Sequence, residues 1–159
     1  CWGGETLAGG RWSPGGYHSV PLNESSFTAD GWLRTGDVGC IDSEGFLRLT
    51  DRTKDLIKSG GEWISSVDLE NAVMGHPAVL EASVIAVPHP RWAERPLAVV
   101  VLRPGMSATA EEIRDHLAKT FAKWQLPEGF AFVNEIPRTS TGKFLKTKLR
   151  EMYKDWKWE

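Results

Sequence analysis

Cysteine and histidine are scarce in this 159-residue chain, and neither is spaced to bind a metal. The two cysteines, Cys1 and Cys40, form no Cys-x-x-Cys pair, and the four histidines (His18, His76, His89, His116) are scattered, so no metal site is expected. The thiols read as reduced and structurally minor, as in a cytoplasmic protein. His76 and His89 each border a proline and read as turn residues. Long apolar runs are missing too: none approaches the roughly 18 residues that a membrane-spanning helix needs. No charge sign dominates, with 19 Lys and Arg against 21 Asp and Glu and a net charge of -2. Electrostatics alone therefore calls for neither nucleic acid nor an anionic membrane. The opening Cys1-Trp2-Gly3-Gly4-Glu5 has no initiator Met and no basic-then-apolar leader, so the chain reads as a piece of a longer protein. No internal repeat stands out.

What is present is an ordinary globular composition, 41% apolar, enough for a packed core. Up to about residue 30 the pairs Gly3-Gly4, Gly9-Gly10 and Gly15-Gly16 argue against long regular elements. Two short strands around Ser43-Glu44-Gly45 then predict a hairpin. The charged stretch Asp51-Arg52-Thr53-Lys54-Asp55 marks a domain boundary, set at 51/52. Beyond it, Leu56-Ile57-Lys58 predicts a short strand and Ser59-Gly60-Gly61 a tight turn. Ser65 with Asp68, and Thr109 with Glu112, resemble capping boxes that open helices. Gly75-His76-Pro77 ends the first helix, and Ile113, Leu117 and Phe121 share a face of the second. Val79–Val87 and Leu97–Leu102, rich in β-branched residues, predict core strands, and Gly129–Val133 a further one. Lys143–Lys154 predicts a basic terminal helix with Phe144, Leu145, Leu149 and Met152 as its apolar positions. Strands and helices mixed in this order predict a small α+β domain.

Three polar, glycine-containing segments lie between these elements, where function concentrates. In Arg34-Thr35-Gly36-Asp37, a carboxylate after a glycine can accept from both hydroxyls of a sugar diol, or can simply satisfy its own turn. The run from Asp51 to Glu62 has the composition of a charged hinge followed by a turn that lets backbone approach a ligand, and equally of a solvated linker. In Pro137-Arg138-Thr139-Ser140-Thr141-Gly142-Lys143-Phe144, small donors, backbone N–H groups and an ammonium suit a phosphate. A Walker A loop is disfavoured, because the positions needing Gly and Ser or Thr hold Pro137 and Phe144.

These segments, in this order, resemble the adenylate-forming (AMP-binding) superfamily. Leu33-Arg34-Thr35-Gly36-Asp37 resembles its "(Y/F)RTGD" motif, with Leu in place of the aromatic residue. Asp51-Arg52-Thr53-Lys54 and Lys58-Ser59-Gly60-Gly61-Glu62-Trp63-Ile64 resemble the hinge motif, and Pro137 to Lys143 the final "PxTxxGK" motif. Gly4-Glu5 with Gly10, Trp12 and Tyr17 looks like the upstream "GE…G…GY" motif, although residues 9–26 match weakly in detail. The stretches Lys58–Ser66, Asp68-Leu69-Glu70-Asn71 and Lys123–Pro127 look most like medium- to long-chain fatty acyl-CoA synthetases.

The resemblance implies that a full-length enzyme uses ATP, Mg2+ and a carboxylic acid to make an acyl-adenylate, and then coenzyme A to make the thioester. Residues 1–51 would end a large N-terminal domain, and residues 52–159 would form a lid with a short sheet and flanking helices. Asp37 would bind the ribose hydroxyls and Arg52 the ribose and phosphate side. Lys54 would be the hinge. Lys143 would bridge carboxylate and α-phosphate, and Lys58 would enter the site in a second conformation. Ser59, Gly60, Gly61, Glu62 and Trp63 would form the coenzyme A face, with core packing, or a reach into the nucleotide or acyl site, the alternatives for Trp63. The resemblance assigns this chain no metal ligands.

No phosphate loop and no Tyr-Gly-x-Thr-Glu motif precede residue 30, so the chain alone is expected to be inactive. Alternatives are transfer of the adenylate to a carrier-protein thiol, its oxidation as in luciferases, and a non-catalytic nucleotide- or coenzyme-binding module. A nucleic-acid binder using Arg138 to Lys157 is weaker, since Glu151, Asp155 and Glu159 interrupt the charge. A homo-oligomer and a peripheral membrane contact remain open.

Overall fold

The computed structural model describes residues 2–10 and 24–158, and these fall into two compact units dividing between Lys54 and Asp55. The sequence-based boundary at 51/52 lies close to that division. Trp12 and Tyr17 lie outside the described residues.

The first unit is an antiparallel three-stranded sheet, ordered β1 (Trp2–Ala8), β2 (Leu33–Ile41) and β3 (Leu47–Arg52). Asp42 shapes the expected β2–β3 turn. Its Oδ1 accepts from the N–H groups of Glu44 and Phe46, both at 2.9 Å, while Gly45 takes φ +89°. β1 corrects the expectation that residues 1–30 lack a long element. Its glycines carry little strand propensity, but pairing along β2 from Trp2↔Ile41 to Ala8↔Leu33 supplies the order. The same pairing sets Gly3 opposite Cys40. Cys40 is disulfide-bonded, against the expectation of reduced thiols.

The second unit is built on the hairpin of β6 (Val79–His89) and β7 (Ala93–Leu102), which is longer than the predicted core strands. On the other edge of β7 lie β4 (Ile57–Ser59), bridged at Ser59↔Ala93, and β8 (Gly129–Phe132), parallel from Leu97↔Gly129 to Val100↔Phe132. β5 (Glu62–Ile64) pairs with β4. The period-2 pattern of β6 and β7 divides their side chains between two cores. Ala82, Val84, Ala98 and Val100 pack with Leu69 and Val73 of α1 (Ser66–Met74) and Ile113 and Leu117 of α2 (Ala110–Ala118). Ile85, Val87, Leu97, Val99 and Val101 pack on the other face with Ile136 and with Leu149 of α3 (Lys146–Met152). Residues such as Leu69 and Ile85 are fully buried, and each side chain of this kind contributes about 1.5–3 kcal/mol.

The helix starts follow the capping signals. The Ser65 hydroxyl accepts from the Asp68 N–H, and Thr109 and Glu112 exchange both bonds of a capping box. Phe121 lies beyond the end of α2 but still packs on its core. The terminal helix differs from expectation: α3 begins at Lys146, so Lys143, Phe144 and Leu145 belong to a loop, and Met152 is 56% exposed. Tyr153, Trp156 and Trp158 after the helix cover that face of the sheet instead. Among the described residues, no helix is long and apolar enough to cross a membrane.

Candidate functional site

Three clusters carry the candidate residues, one in the first unit and two in the second. In the first unit, Asp37 on β2 stands opposite Arg52 on β3, and Arg52 Nε lies 3.3 Å from Asp37 Oδ1. Asp37 is half-buried and Arg52 exposed. The turn before Asp37 is fixed from both sides. The Thr35 hydroxyl donates to the Thr6 carbonyl at 2.7 Å and accepts from the Asp37 N–H at 3.1 Å. Gly36, at φ +71°, directs its carbonyl to the Thr53 N–H at 2.8 Å. Thr35, Gly36, Arg52, Thr53 and Lys54 line a surface hollow of about 390 Å³. The Arg52 guanidinium lines it, with the Asp37 carboxylate 3.3 Å away, and such a pair can take a diol and an adjoining anion. Lys54, the last residue of the unit, is exposed.

The second cluster is the β4–β5 turn. Gly60 and Gly61 take φ +59° and +92°, the pair of left-handed conformations that a two-residue hairpin loop demands. The Gly60 N–H donates to the Trp92 carbonyl at 2.9 Å, and a Cβ at Gly60 would stand 3.2 Å from the Trp92 ring. Ser59 is buried and accepts from Arg95 Nη1 at 2.9 Å. Across the hairpin, Lys58 faces Trp63, with Nζ 5.6 Å from the ring centre. Trp63 is 54% exposed, so core packing is not its role. Ser59, Gly60, Glu62, Trp92, Arg95 and Trp124 line a hollow of about 230 Å³.

The third cluster is the loop 138–144, closed by the bridge Arg138↔Phe144. The Gly142 N–H donates to the Thr139 carbonyl at 2.9 Å, with Gly142 at φ +83°. The Thr139 N–H donates to the Lys143 carbonyl at 2.8 Å, and the Lys143 N–H donates to the Thr139 hydroxyl at 3.2 Å. Arg138 clamps the loop: it donates to the Gly142 carbonyl at 2.7 Å, pairs with Glu81 of β6 and stacks 4.6 Å from the Phe144 ring. Lys143 is exposed. Behind it, Lys146 reaches Glu70 at 2.9 Å and the Ser66 hydroxyl at 2.8 Å, tying α3 to α1.

The fold keeps the last two clusters apart. The 59–61 turn joins β7 at Ala93, whereas Arg138 holds β6 at Glu81, whose partner on β7 is Val101. Eight residue steps of strand separate Ala93 from Val101, roughly 26 Å at the usual rise. Three residues of the second hollow went unnoticed as site residues in the sequence: Trp92, Arg95 and Trp124. Only the unusual charge of Arg95 at the head of an apolar strand signalled it. Trp124 lay in the Lys123–Pro127 stretch that carries the resemblance but was not singled out as a site residue, and Trp92 carried no signal, because it meets the 59–61 turn only once β4 pairs with β7.

Residues 68–143 match the AMP-binding enzyme C-terminal domain family. Over 155 residues the chain is 59% identical to the long-chain-fatty-acid–CoA ligase of Thermus thermophilus, covering 96% of this chain and 28% of that protein. It is 48% identical to the medium-chain-fatty-acid–CoA ligase of Ectopseudomonas oleovorans, over 96% of this chain and 28% of that one. The chain thus spans about 28% of the length of these curated relatives. Among solved structures, it superposes with a TM-score of 0.85 and 37% identity on o-succinylbenzoate CoA synthetase from Bacillus subtilis in complex with its acyl-adenylate intermediate, over 94% of this chain and 30% of that one.

Proposed function

We propose that the chain, whose residues 68–143 match the AMP-binding enzyme C-terminal domain family, is the lid portion of a fatty acyl-CoA synthetase of the adenylate-forming (AMP-binding) family. The first unit contributes the ribose-binding edge of the nucleotide site, and the second unit is the lid. In the first half-reaction a carboxylate oxygen of the fatty acid attacks the α-phosphorus of ATP, and pyrophosphate leaves. Two anions must meet there, and the Lys143 ammonium between them both orients and screens. Asp37 accepts from the ribose hydroxyls, with Arg52 beside it at 3.3 Å supporting the phosphate side. In the second half-reaction the sulfur of coenzyme A, having lost its proton, attacks the acyl carbonyl, and AMP leaves. The Ser59–Trp63 hairpin faces the reaction then. The left-handed glycines at 60 and 61 leave a turn without side chains where the narrow thiol arm passes. Lys58 enters with that face.

The observation that carries the reading is the placement of the two polar turns at opposite corners of one sheet, one bearing Lys143 and the other Gly60-Gly61. A rigid body with a tool at each corner suits rotation about a hinge, and the division between Lys54 and Asp55 supports that hinge. Mg2+ would arrive with the ATP phosphates, which supply most of its ligands and whose charge it would neutralise; among the described residues no three His, Cys, Asp or Glu side chains gather to hold a metal ion by themselves. The test incubates the full-length protein with ATP and a fatty acid, without coenzyme A, and looks for acyl-AMP by mass spectrometry. Acyl-AMP should accumulate and convert to acyl-CoA once the thiol is added. The chain of 159 residues alone should form neither. Absence of acyl-AMP across a series of fatty acids overturns the reading.

A further inference from the structure

We infer that Arg95 is a positioning residue for the thiol step, fixing the Ser59-Gly60-Gly61 turn against the segment 124–128. The inference rests on the acyl-CoA synthetase reading and adds a residue that lies in none of the motif segments. The sheet has a gap along one edge of β7. There β4 is paired only at Ala93, and β8 joins only from Leu97. Arg95 lies between those two points, and its side chain closes the gap. Nε donates to Glu128 Oε2 at 2.7 Å, and Nη1 donates to the Ser59 hydroxyl at 2.9 Å and to the Trp124 carbonyl at 2.6 Å. Nη2 donates to the Leu126 carbonyl at 3.0 Å.

These acceptors belong to two separate pieces of chain, and both pieces line the hollow of about 230 Å³. Its neighbour Glu94 completes the grip, accepting the Lys58 N–H at 2.9 Å, so consecutive residues of β7 hold consecutive residues of β4. A planar fork can hold several acceptors in fixed directions, whereas a lysine offers one point.

Arg95 is 8% exposed, and Glu128 faces it across an ion pair whose second carboxylate oxygen lies 3.4 Å from His89 Nε2. A guanidinium so occupied has little left to give an anionic ligand. Its contribution is therefore the separation of the turn from Trp124, which sets the width of the hollow.

Arg95→Lys in the full-length enzyme tests this. Pyrophosphate exchange reports adenylation, and thioester formation from supplied acyl-adenylate, at varied coenzyme A, reports the second step. The KM for coenzyme A should rise about tenfold while exchange stays within about twofold. An unchanged KM overturns the inference. So does an equal loss in both half-reactions with a lowered Tm, which marks a role in folding alone. Glu128→Gln guards against a poorly folded Lys variant. It keeps an acceptor for Nε but removes the charge, and should raise the same KM by a smaller factor; no rise overturns the inference. Amide exchange at Gly60 supplies a readout that needs no activity: it should quicken in Arg95→Lys, with Gly142 unaffected. Equal quickening at both overturns the positioning role. Loss of adenylation already in the wild-type enzyme would count against the acyl-CoA synthetase reading, and Gly60 exchange would still decide the role of Arg95.

Discussion

The two polar turns of the second unit are held by the same kind of side chain in opposite surroundings. Arg95 grips the 59–61 turn from inside, 8% exposed, with all three of its nitrogens engaged by one carboxylate, one hydroxyl and two carbonyls. Arg138 grips the Lys143 loop from outside, with its side chain 43% exposed and a single carboxylate, Glu81, as ion partner. Buried charge networks fail badly when one member is lost, whereas exposed pairs contribute about 0–1 kcal/mol. The 59–61 turn is thus built as a fixed wall and the Lys143 loop as an adjustable arm. The difference matches the proposed tasks. A wall must keep a narrow passage open, and an arm must reach a site outside the unit.

Removing the tip of the arm should have the largest consequence. Lys143→Ala should slow adenylation by about a hundredfold or more, the scale lost with an electrostatic stabiliser of a transition state. Thioester formation from supplied acyl-adenylate should change only a few-fold. Measuring pyrophosphate exchange and thioester synthesis separately decides it, and equal losses would erase the functional difference between the two turns.

Next in size is the hinge. Lys54→Pro fixes φ at 54, removes an N–H and drives Thr53 towards an extended conformation. If rotation there exchanges wall and arm, the two half-reactions should separate by about tenfold, with adenylation surviving better. Position 54 is exposed, so Tm should move little. Single-turnover timing of each step is the measurement. Proportional slowing at constant Tm would place the alternation elsewhere.

A gentler change sharpens the contrast between the clamps. Arg138→Ala removes a partly solvated ion pair, one loop hydrogen bond and the stacking on Phe144. It should lower adenylation several-fold through looser placement of Lys143 and cost about 1 kcal/mol of stability. Arg95→Ala should cost more stability than this, since it leaves polar groups in a buried gap. Thermal melts of both variants test the order; a larger loss from Arg138→Ala would contradict the wall-and-arm distinction.

Much of this architecture was legible where the physics is local. Capping residues at Ser65 and Thr109, the Gly60-Gly61 turn and the β-branched runs of β6 and β7 each declare themselves within a few residues. The candidate residues also sat in recognisable segments, because their turns need glycine and small hydroxyls in sequence. What escaped was long-range. The glycine-rich β1 exists through pairing with β2, about thirty residues on, and no propensity announces it. The terminal helix starts late because Lys143–Leu145 are drawn into the bridge between Arg138 and Phe144 and the bond from the Leu145 N–H to the Pro137 carbonyl. Arg95 stood out only as a charge at the head of an apolar strand, and its partners at 59 and 124–128 are neighbours only once β7 has collected both β4 and β8.

The smallest expected effect asks whether the wall depends on the helix behind it. Arg114 of α2 donates to the carbonyls of Pro127, at 3.4 Å, and Glu128, at 3.1 Å, the segment that Arg95 grips from the other side. The start of α2 is fixed by its capping box, and the Thr109 N–H is the main cause holding the Glu112 carboxyl below its ordinary value, with the Thr109 hydroxyl next. A carboxyl held low in the folded state gives stability that is complete above its ordinary value of about 4.5 and fades as pH falls through the lowered one. Acidification from pH 6 to pH 3 should therefore loosen the first turn of α2 in the wild type. Glu112→Gln keeps an acceptor for the Thr109 N–H but does not titrate, so it carries the acid response of every other carboxylate and lacks only this one. The difference between the two proteins should be a slight extra loss of Tm below pH 4.5 in the wild type. It should come with slightly faster amide exchange in 124–128 and no extra change at Gly142. If the extra loosening reached Gly142 as strongly as 124–128, the two turns would share one support, and the distinction between wall and arm would not hold.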